Sequence, residues 1–351
     1  MNNVLVLGSA IALGVYTPAV WFCKNLKKQG IQCRMIYLES LYTQEKQDLI
    51  AINKYKFHKN FKIAKIAHVM DNKVESSVDI VLKEQFMQEC INNDYNTIVC
   101  FSGFWVTIID ELIQQDRKFE NRIKCVHMDV VRSNSWKSVN LPYLENIWLF
   151  NMEENKISYK LSNIVPKPVE FRNGRIIAHG GGWGMGTYRS MIQQLNELGY
   201  EVDIICYYED EYVETDLKNR YYLLDPNWKP VVGESNFPQL FMYKHNQWCK
   251  MNENSEVSDI SILLQDAIAV MSKPGGGTLA DSMMTCTPII FLEALAAYEK
   301  MNAQMWTMHG YGIPYEDWIQ SKDLFGELVR MINNLLKDMK EIKVLGDEID
   351  G

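Results

Sequence analysis

The residues that decide the fold run from Val270 to Trp306, VMSKPGGGTLADSMMTCTPIIFLEALAAYEKMNAQMW. Residues 267–271 are apolar and lead into Lys-Pro-Gly-Gly-Gly, the pattern of a buried strand entering a loop. Residues 278–286 read as a short helix and 288–292 as the next buried strand. Three successive glycines let backbone N–H groups come close to a ligand, and a helix starting there adds the partial positive charge of its N-terminus. Asp281 falls near the start of that helix, where a carboxylate can accept hydrogen bonds from sugar hydroxyls. Glu299 and Asn302 are three apart on the next helical segment and so point the same way. The whole stretch reads as a site for something bearing phosphate and hydroxyls.

The same pattern opens the chain. Residues 4–7 form a short apolar strand that enters Gly8-Ser9-Ala10-Ile11-Ala12-Leu13-Gly14. A helix over 17–29 follows, with Pro18 near its first turn and Gly30 past its end, and then a strand over 33–38. The pattern recurs as a strand over 175–178, the loop His179-Gly180-Gly181-Gly182-Trp183-Gly184-Met185-Gly186, a helix to about 198 and a strand over 201–206. Two such openings predict two doubly wound α/β domains, over 1–155 and 172–325, with 156–171 as linker and 326–351 as a C-terminal helix and tail. Between these landmarks the periodicity predicts helices over 77–92, 238–251 and 321–340, strands over 97–101, 123–126 and 143–151, and a loop over 308–315. The second glycine loop does not meet G-x-G-x-x-G strictly and lacks an acidic partner near residue 205, which disfavours a nicotinamide cofactor.

Composition narrows the class. The 351 residues are 47% apolar and 23% charged, enough for two substantial cores. A net charge of −8 argues against a general nucleic-acid binder. Eight scattered cysteines without a CxxC pair suit free thiols in a reducing cytoplasm rather than a zinc site or disulfide frame. The first residues lack a basic region and cleavage signal, and no apolar run reaches about 18 residues, so neither a signal peptide nor a membrane span is expected. Residues 54–68, KYKFHKNFKIAKIAH, form a basic, aromatic-dotted island. It reads either as a contact for an anionic partner, a phosphorylated acceptor or a membrane surface, or as a solvated face. A membrane role is disfavoured because no second anchor is visible. Glu209-Asp210-Glu211 reads as a solvated acidic turn rather than a metal motif, and no metal is expected.

The 270–306 block resembles the donor-binding segment of GT-B nucleotide-sugar glycosyltransferases, in particular the branch joining the lipid II-forming N-acetylglucosaminyltransferase to the diacylglycerol glycosyltransferases. The resemblance rests on Gly275-Gly276-Gly277-Thr278-Leu279-Ala280-Asp281, on Thr287-Pro288-Ile289-Ile290 and on Glu299-Lys300-Met301-Asn302-Ala303. It implies two Rossmann-like domains facing each other across a cleft. The second would hold a UDP-sugar, or another nucleoside diphosphate sugar, as co-substrate. By position, Asp281 would hold the ribose hydroxyls and Glu299 the sugar, with Asn302 beside it. Gly275, Gly276, Gly277 and Thr278 would take the nucleotide end, and Gly181 and Gly182 would face the diphosphate. That family has Glu where this chain has Asp281. Retaining members carry an acid eight positions earlier, where this chain has Lys273, so inversion with Lys273 facing the leaving phosphate is expected.

The acceptor side is less legible. GT-B relatives place a His in the first glycine loop, and here Gly14 and Pro18 fit the spacing while Val15 occupies the His position. Gly14 and Tyr16, with Phe104 and Trp105 after the 97–101 strand, are the acceptor-side candidates, although core packing explains the two aromatics equally well. His127 and Asp129 follow the 123–126 strand. They are the candidate bases, a His near neutral pH and a carboxylate that orients it or acts alone. Arg132-Ser133-Asn134-Ser135-Trp136 then forms a polar loop suited to closing over the acceptor. The expected activity is metal-independent transfer of a sugar, with inversion, to a small soluble acceptor. Two alternatives remain open: a nucleotide-sugar 2-epimerase, and a degenerate subunit that binds a nucleotide sugar without turnover. The sequence leaves the sugar, the acceptor and the oligomeric state open.

Overall fold

The computed structural model describes residues 3–347 except 12, 70–76, 138, 140, 215–217 and 254–255. The first lobe runs β1 (Asn3–Gly8), α1 (Leu13–Lys28), β2 (Gln32–Tyr37), α2 (Gln44–Lys59), α3 (Phe61–Val69), α4 (Ile80–Asn93), β3 (Thr97–Cys100), α5 (Val106–Gln115), β4 (Ile123–His127) and β5 (Glu145–Trp148). Its five strands are parallel in the order β2-β1-β3-β4-β5. Side-chain alternation divides them between two cores. Val4, Val6, Val99 and Val126 pack with α1 through Phe22 and Leu26. Leu5, Leu7, Ile98, Cys100 and Cys125 pack on the opposite face with Trp105 and Ile109.

A short connection carries the hairpin β6 (Phe150–Asn151) and β7 (Lys156–Ile157), then β8 (Tyr159–Lys160). The second lobe contains β9 (Ile176–Ala178), α6 (Tyr188–Glu197), β10 (Val202–Cys206), β11 (Arg220–Leu224), β12 (Leu240–Lys244), β13 (Gln247–Lys250), α7 (Asp259–Asp266), β14 (Ala269–Ser272), α8 (Gly276–Thr285), β15 (Ile289–Phe291), α9 (Ala297–His309) and β16 (Gly312–Pro314). Six of its strands are parallel in the order β11-β10-β9-β14-β15-β16, with the antiparallel β12–β13 pair added at the β11 edge. The chain ends with α10 (Tyr315–Trp318), α11 (Leu324–Asp338) and β17 (Lys343–Val344), which pairs with β8. Gln29 at the end of α1 donates to Asp347 (3.1 Å), so the tail returns to the first lobe.

Three local expectations need correction. Residues 238–251 form a hairpin rather than a helix: His245 and Asn246 take φ of 52° and 61°, the two left-handed positions of a tight hairpin turn. The aromatic content of the segment fits a pleated surface as well as it fits a helix. Residues 308–315 hold the end of α9 and the edge strand β16, not a loop. Gly312 fits there because a Cβ would lie 2.6 Å from the Phe291 ring. Finally, α1 begins at Leu13, so Pro18 lies inside it and leaves the Gly14 carbonyl outside the helical ladder.

The lobes are joined at several places. From α1, Tyr16 stands edge-on to Trp228 (5.1 Å) and Trp21 packs on Phe237 (4.7 Å). Residues of the basic island meet the second lobe. Lys59 pairs with Asp210 (3.2 Å), Lys65 with Glu293, and buried His58 with Glu211 and the Trp183 carbonyl (3.2 Å). Glu211 is accordingly not a solvated turn residue: its side chain is 3% exposed and also takes the Tyr207 N–H (2.7 Å) and Arg189. Among the described residues no helix is long and apolar enough to cross a membrane.

Arg172, entering the second lobe, is buried and donates to the carbonyls of Ala267 (2.8 Å), Thr285 (3.0 Å) and Cys286 (3.1 Å) and to the Thr287 hydroxyl (2.8 Å). It caps the C-terminus of α8, where a cation is favoured by the helix dipole. Burial lowers its guanidinium to about 10, which is still charged at neutral pH. Arg172→Met strands these acceptors and is expected to cost about 3 kcal/mol, a fall in Tm of roughly 6–12 °C for a lobe of this size. A melt within 2 °C of wild type would show that the cap is dispensable.

Candidate functional site

In both sheets the first strand pairs on each side with a later one, β1 with β2 and β3, and β9 with β10 and β14. Loops leaving such a switch point diverge and expose the strands' carboxyl ends, the usual ligand position in this kind of sheet. The loops after β9 and β14 meet the loops after β1 and β4 along the seam between the lobes. The approach is close. A Cβ on Gly276 would lie 2.4 Å from the Met128 carbonyl oxygen, one on Gly277 2.7 Å from the Gly14 Cα, and one on Gly182 2.5 Å from the Leu13 nitrogen. These glycines therefore serve backbone-to-backbone contact between the lobes.

A polar nest lies beside this contact. Lys273 forms an ion pair with Glu299, whose other oxygen accepts the Leu295 N–H (2.7 Å). Asn302 is fully buried and bridges the lobes. Its amide donates to Asp129 (2.8 Å) and to the Pro274 carbonyl (2.9 Å), and its oxygen accepts the Val130 N–H (2.9 Å). Burial pushes the Asp129 carboxyl up to about 6; Glu299 adds to the rise while Asn302, Lys273 and Ser133 oppose it. Tyr298 is raised well above its ordinary value by burial and then by Asp129 and Glu299. Two histidines complete the surroundings. His68 is lowered by burial, with Glu299 and Lys273 acting on it in opposite senses. His179, held down to about 4 by burial and Lys273, accepts the Gly181 N–H (2.9 Å). Asn134 donates to His68 (3.0 Å).

Asp281 stands one turn beyond Gly277 on the same side of α8, the side that meets α1. Its carboxylate has no hydrogen-bond partner among the described residues, and burial alone raises it to about 7. Thr278 is buried at the start of the same helix. The structure thus gathers Lys273, Gly275, Gly276, Gly277, Glu299, Asn302 and Asp129 at one place, with Gly14, Gly181 and Gly182 at its walls.

Other candidates lie elsewhere. His127 points to the opposite side of β4. It is 2% exposed, stacked on Trp148 (4.0 Å) and bonded to Asn146 (2.7 Å), and burial lowers it to about 4. Trp105 is a core residue whose indole donates to the Gly8 carbonyl (2.7 Å), while neighbouring Phe104 is 36% exposed. Tyr16 is buried with its hydroxyl on the Asn236 carbonyl (3.1 Å).

Residues that the sequence reading passed over include His68, His179, Tyr298 and Glu39. Glu39 accepts from the Ser9 hydroxyl (2.6 Å) and the N–H groups of Ala10 (2.7 Å) and Ile11 (3.2 Å). Its carboxylate fills the anion nest of the first glycine loop from inside the protein. An acid at the end of the second strand of a doubly wound unit was the available signal.

No family model matches the chain, and no curated protein matches it. Solved structures do match along nearly its whole length. The glycosyltransferase SsfS6 from Streptomyces sp. SF2575 has a TM-score of 0.53 and 8% identity, covering 98% of this chain and 97% of that one. The same protein complexed with thymidine diphosphate gives 0.53 and 8%, covering 96% of each chain. The glycosyltransferase SnogD from Streptomyces nogalater gives 0.50 and 10%, covering 98% and 97%. The fold is that of the GT-B glycosyltransferases: two facing Rossmann-like lobes with the seam between them.

Asn302→Ala removes the bridge and leaves the Val130 N–H unpaired at the seam. Hydrogen exchange at that amide is expected to quicken at least about tenfold, the loss of roughly one buried hydrogen bond. Unchanged protection at Val130 would mean that the lobes do not depend on this side chain.

Proposed function

We propose that the protein is an inverting glycosyltransferase that takes its sugar from a nucleoside diphosphate sugar. The observation that carries this reading is the unpartnered Asp281 carboxyl beside the Gly275–Gly277 loop, in a chain whose fold matches sugar transferases along 96–98% of its length. A half-buried carboxyl that desolvation raises and that no described donor meets is a poor structural group, and it is open to accept from a pair of ribose hydroxyls. In this reading Lys273 and the amides of the two glycine loops offset the charge that builds on a departing diphosphate, and no metal is required for that task. Glu299 holds Lys273 in place and is the residue this reading assigns to the sugar. UDP is the expected carrier; the thymidine diphosphate bound by SsfS6 makes the thymidine form the natural second probe.

With Val15 in the first loop and His127 turned away, we assign Asp129 to take the acceptor's proton. Its elevated pKa suits the role, since a base near 6 is ionised at neutral pH yet holds a proton more firmly than an ordinary aspartate. A donor enters only if the two lobes part, because the glycine loops now touch the opposite backbone. That closeness favours one alternative, a subunit that binds a nucleotide sugar without turning it over. Release of free sugar and nucleoside diphosphate from a panel of UDP- and thymidine-diphosphate sugars separates the two, because only a transferase hydrolyses its donor slowly when no acceptor is present.

Two variants test the assignments. Asp281 has a folded pKa above its unfolded one, so its native-state penalty is absent below about pH 4, grows as pH rises toward 7 and stays full above that. Asp281→Asn should therefore stabilise the free protein by on the order of 1–3 kcal/mol at pH 8 and hardly at all at pH 4, while weakening nucleotide binding about tenfold or more by calorimetry. Undiminished affinity would remove Asp281 from the site.

For Asp129, kcat/KM should rise as pH passes upward through about 6. Asp129→Asn should lower it by roughly 10²–10⁴ and flatten that limb. A variant that keeps the limb would point to another base, with His68, which Glu299 and Lys273 both influence, the first to examine.

A further inference from the structure

A recess lies between the lobes, far from the glycine loops, at the other end of α1. It has a volume of about 480 Å³ and is walled on one side by Lys24, Lys27 and Lys28 and on the other by the 233–236 loop and Glu256. Along the helix, Lys28 is about 21 Å from Gly14, so this is a separate place on the molecule. Three lysines on one wall are conspicuous in a chain of net charge −8.

The recess is built rather than incidental. Lys24 is 7% exposed; its ammonium lies 3.1 Å from Glu256 and 5.5 Å from the centre of the Phe237 ring. Lys27 donates to the hydroxyl of buried Ser235 (2.9 Å). Lys28 has no partner among the described residues. The facing loop is pinned to the first lobe, with the Gly233 N–H on the Met35 carbonyl (2.8 Å) and Gly233 itself at φ 89°, a conformation that favours glycine. Of the two acids present, Glu256 holds Lys24, and Glu234 accepts from the neutral Asn236 amide (2.6 Å) and keeps its charge, so three lysines face two carboxylates and the lining stays net positive.

From this geometry we infer that the recess binds a compact, soluble polyanion of the diphosphate or polycarboxylate class, gripped by Lys27 and Lys28 from α1 and by Ser235 and Asn236 from the second lobe. Its volume lies in the range of small-ligand sites, and its charged lining excludes an apolar occupant. Lys24 exchanges Glu256, whose side chain is 61% exposed, for the ligand when the ligand carries a third anionic group. Because the two walls belong to different lobes, the ligand prefers the arrangement in which they face each other. Its binding is then linked to whatever moves the lobes at the glycine loops, with equal effect in both directions. The inference does not depend on sugar transfer and stands for a binding subunit as well.

The test uses full-length protein carrying Lys273→Gln, which removes the cation of the glycine-loop site, titrated calorimetrically with pyrophosphate and with citrate at matched ionic strength. At least one of them is expected to bind saturably at a single site, and adding Lys27→Gln and Lys28→Gln should weaken that binding at least tenfold. Lys27→Arg with Lys28→Arg should retain it, which separates lost charge from lost folding. Saturation by pyrophosphate alone or citrate alone assigns the class. No saturable heat with either anion, or equal affinity without the two lysines, overturns the proposal.

Discussion

The structure depends on backbone meeting backbone across the seam. Gly276 against Met128, Gly277 against Gly14 and Gly182 against Leu13 leave no room for a single methyl group, so the lobes can close only where those positions carry no side chain. Around these contacts the polar groups fall into place. Asn302 satisfies the Val130 N–H and the Asp129 carboxylate from the opposite lobe, and Lys273 with Glu299 neutralises the charge that closure would otherwise bury unpaired. A buried ion pair of this kind adds little net stability over an apolar pair. Its retention at the seam is better explained by chemistry than by folding.

That constraint changes how glycine-rich loops are to be read. From the sequence, glycines 275–277 and 180–182 have one evident purpose, close approach of amides to a ligand. The structure supplies a second: close approach of one lobe to the other. Both purposes need the missing Cβ, so the motif alone cannot distinguish them. What favours a ligand is the set of groups that interlobe packing does not need. Asp281 is unpartnered and held near neutrality, and Asp129 is raised to about 6 although Asn302 donates to it. Packing alone would have removed such costs, since an Asn or Ser in either place satisfies the same geometry without a charge to bury.

The sequence was most legible where local pattern and long-range structure coincide. Strands β1, β9 and β14 are short apolar runs that lead into glycine-rich loops, and the pattern locates them within a residue or two, together with the double occurrence of the strand–loop–helix unit that defines the two lobes. Legibility failed where a residue's partner lies far along the chain. His58 and Glu211 are 153 residues apart, and nothing near either predicts a buried interlobe cluster in place of a basic island and an acidic turn. The 238–251 hairpin was lost for a different reason. Its turn is made by His245 and Asn246, a pair with weaker left-handed preference than Asn-Gly, so the turn signal was faint. His127 and Asp129 differ by two positions and share a strand end, yet the turn after β4 sends one toward the Trp136–Trp148 core and the other to the seam.

The histidines show why burial governs chemistry here. His127 and His179 are both lowered to about 4, so neither carries charge at neutral pH. His179 uses that neutrality to accept the Gly181 N–H and fix the loop that faces Lys273. A protonated ring there would lose this bond and set two cations side by side. The carboxyls move the opposite way under the same cause, because burial disfavours every charged form. Burial thus keeps His127 neutral in the first-lobe core, while at the seam it keeps His179 neutral, raises Asp129 and Asp281 and leaves one lysine balanced by one glutamate. On the proposed reading a diphosphate entering such a place would bring negative charge to the lysine and the loop amides, and a ribose hydroxyl would donate to Asp281, the one seam carboxyl without a donor among the described residues.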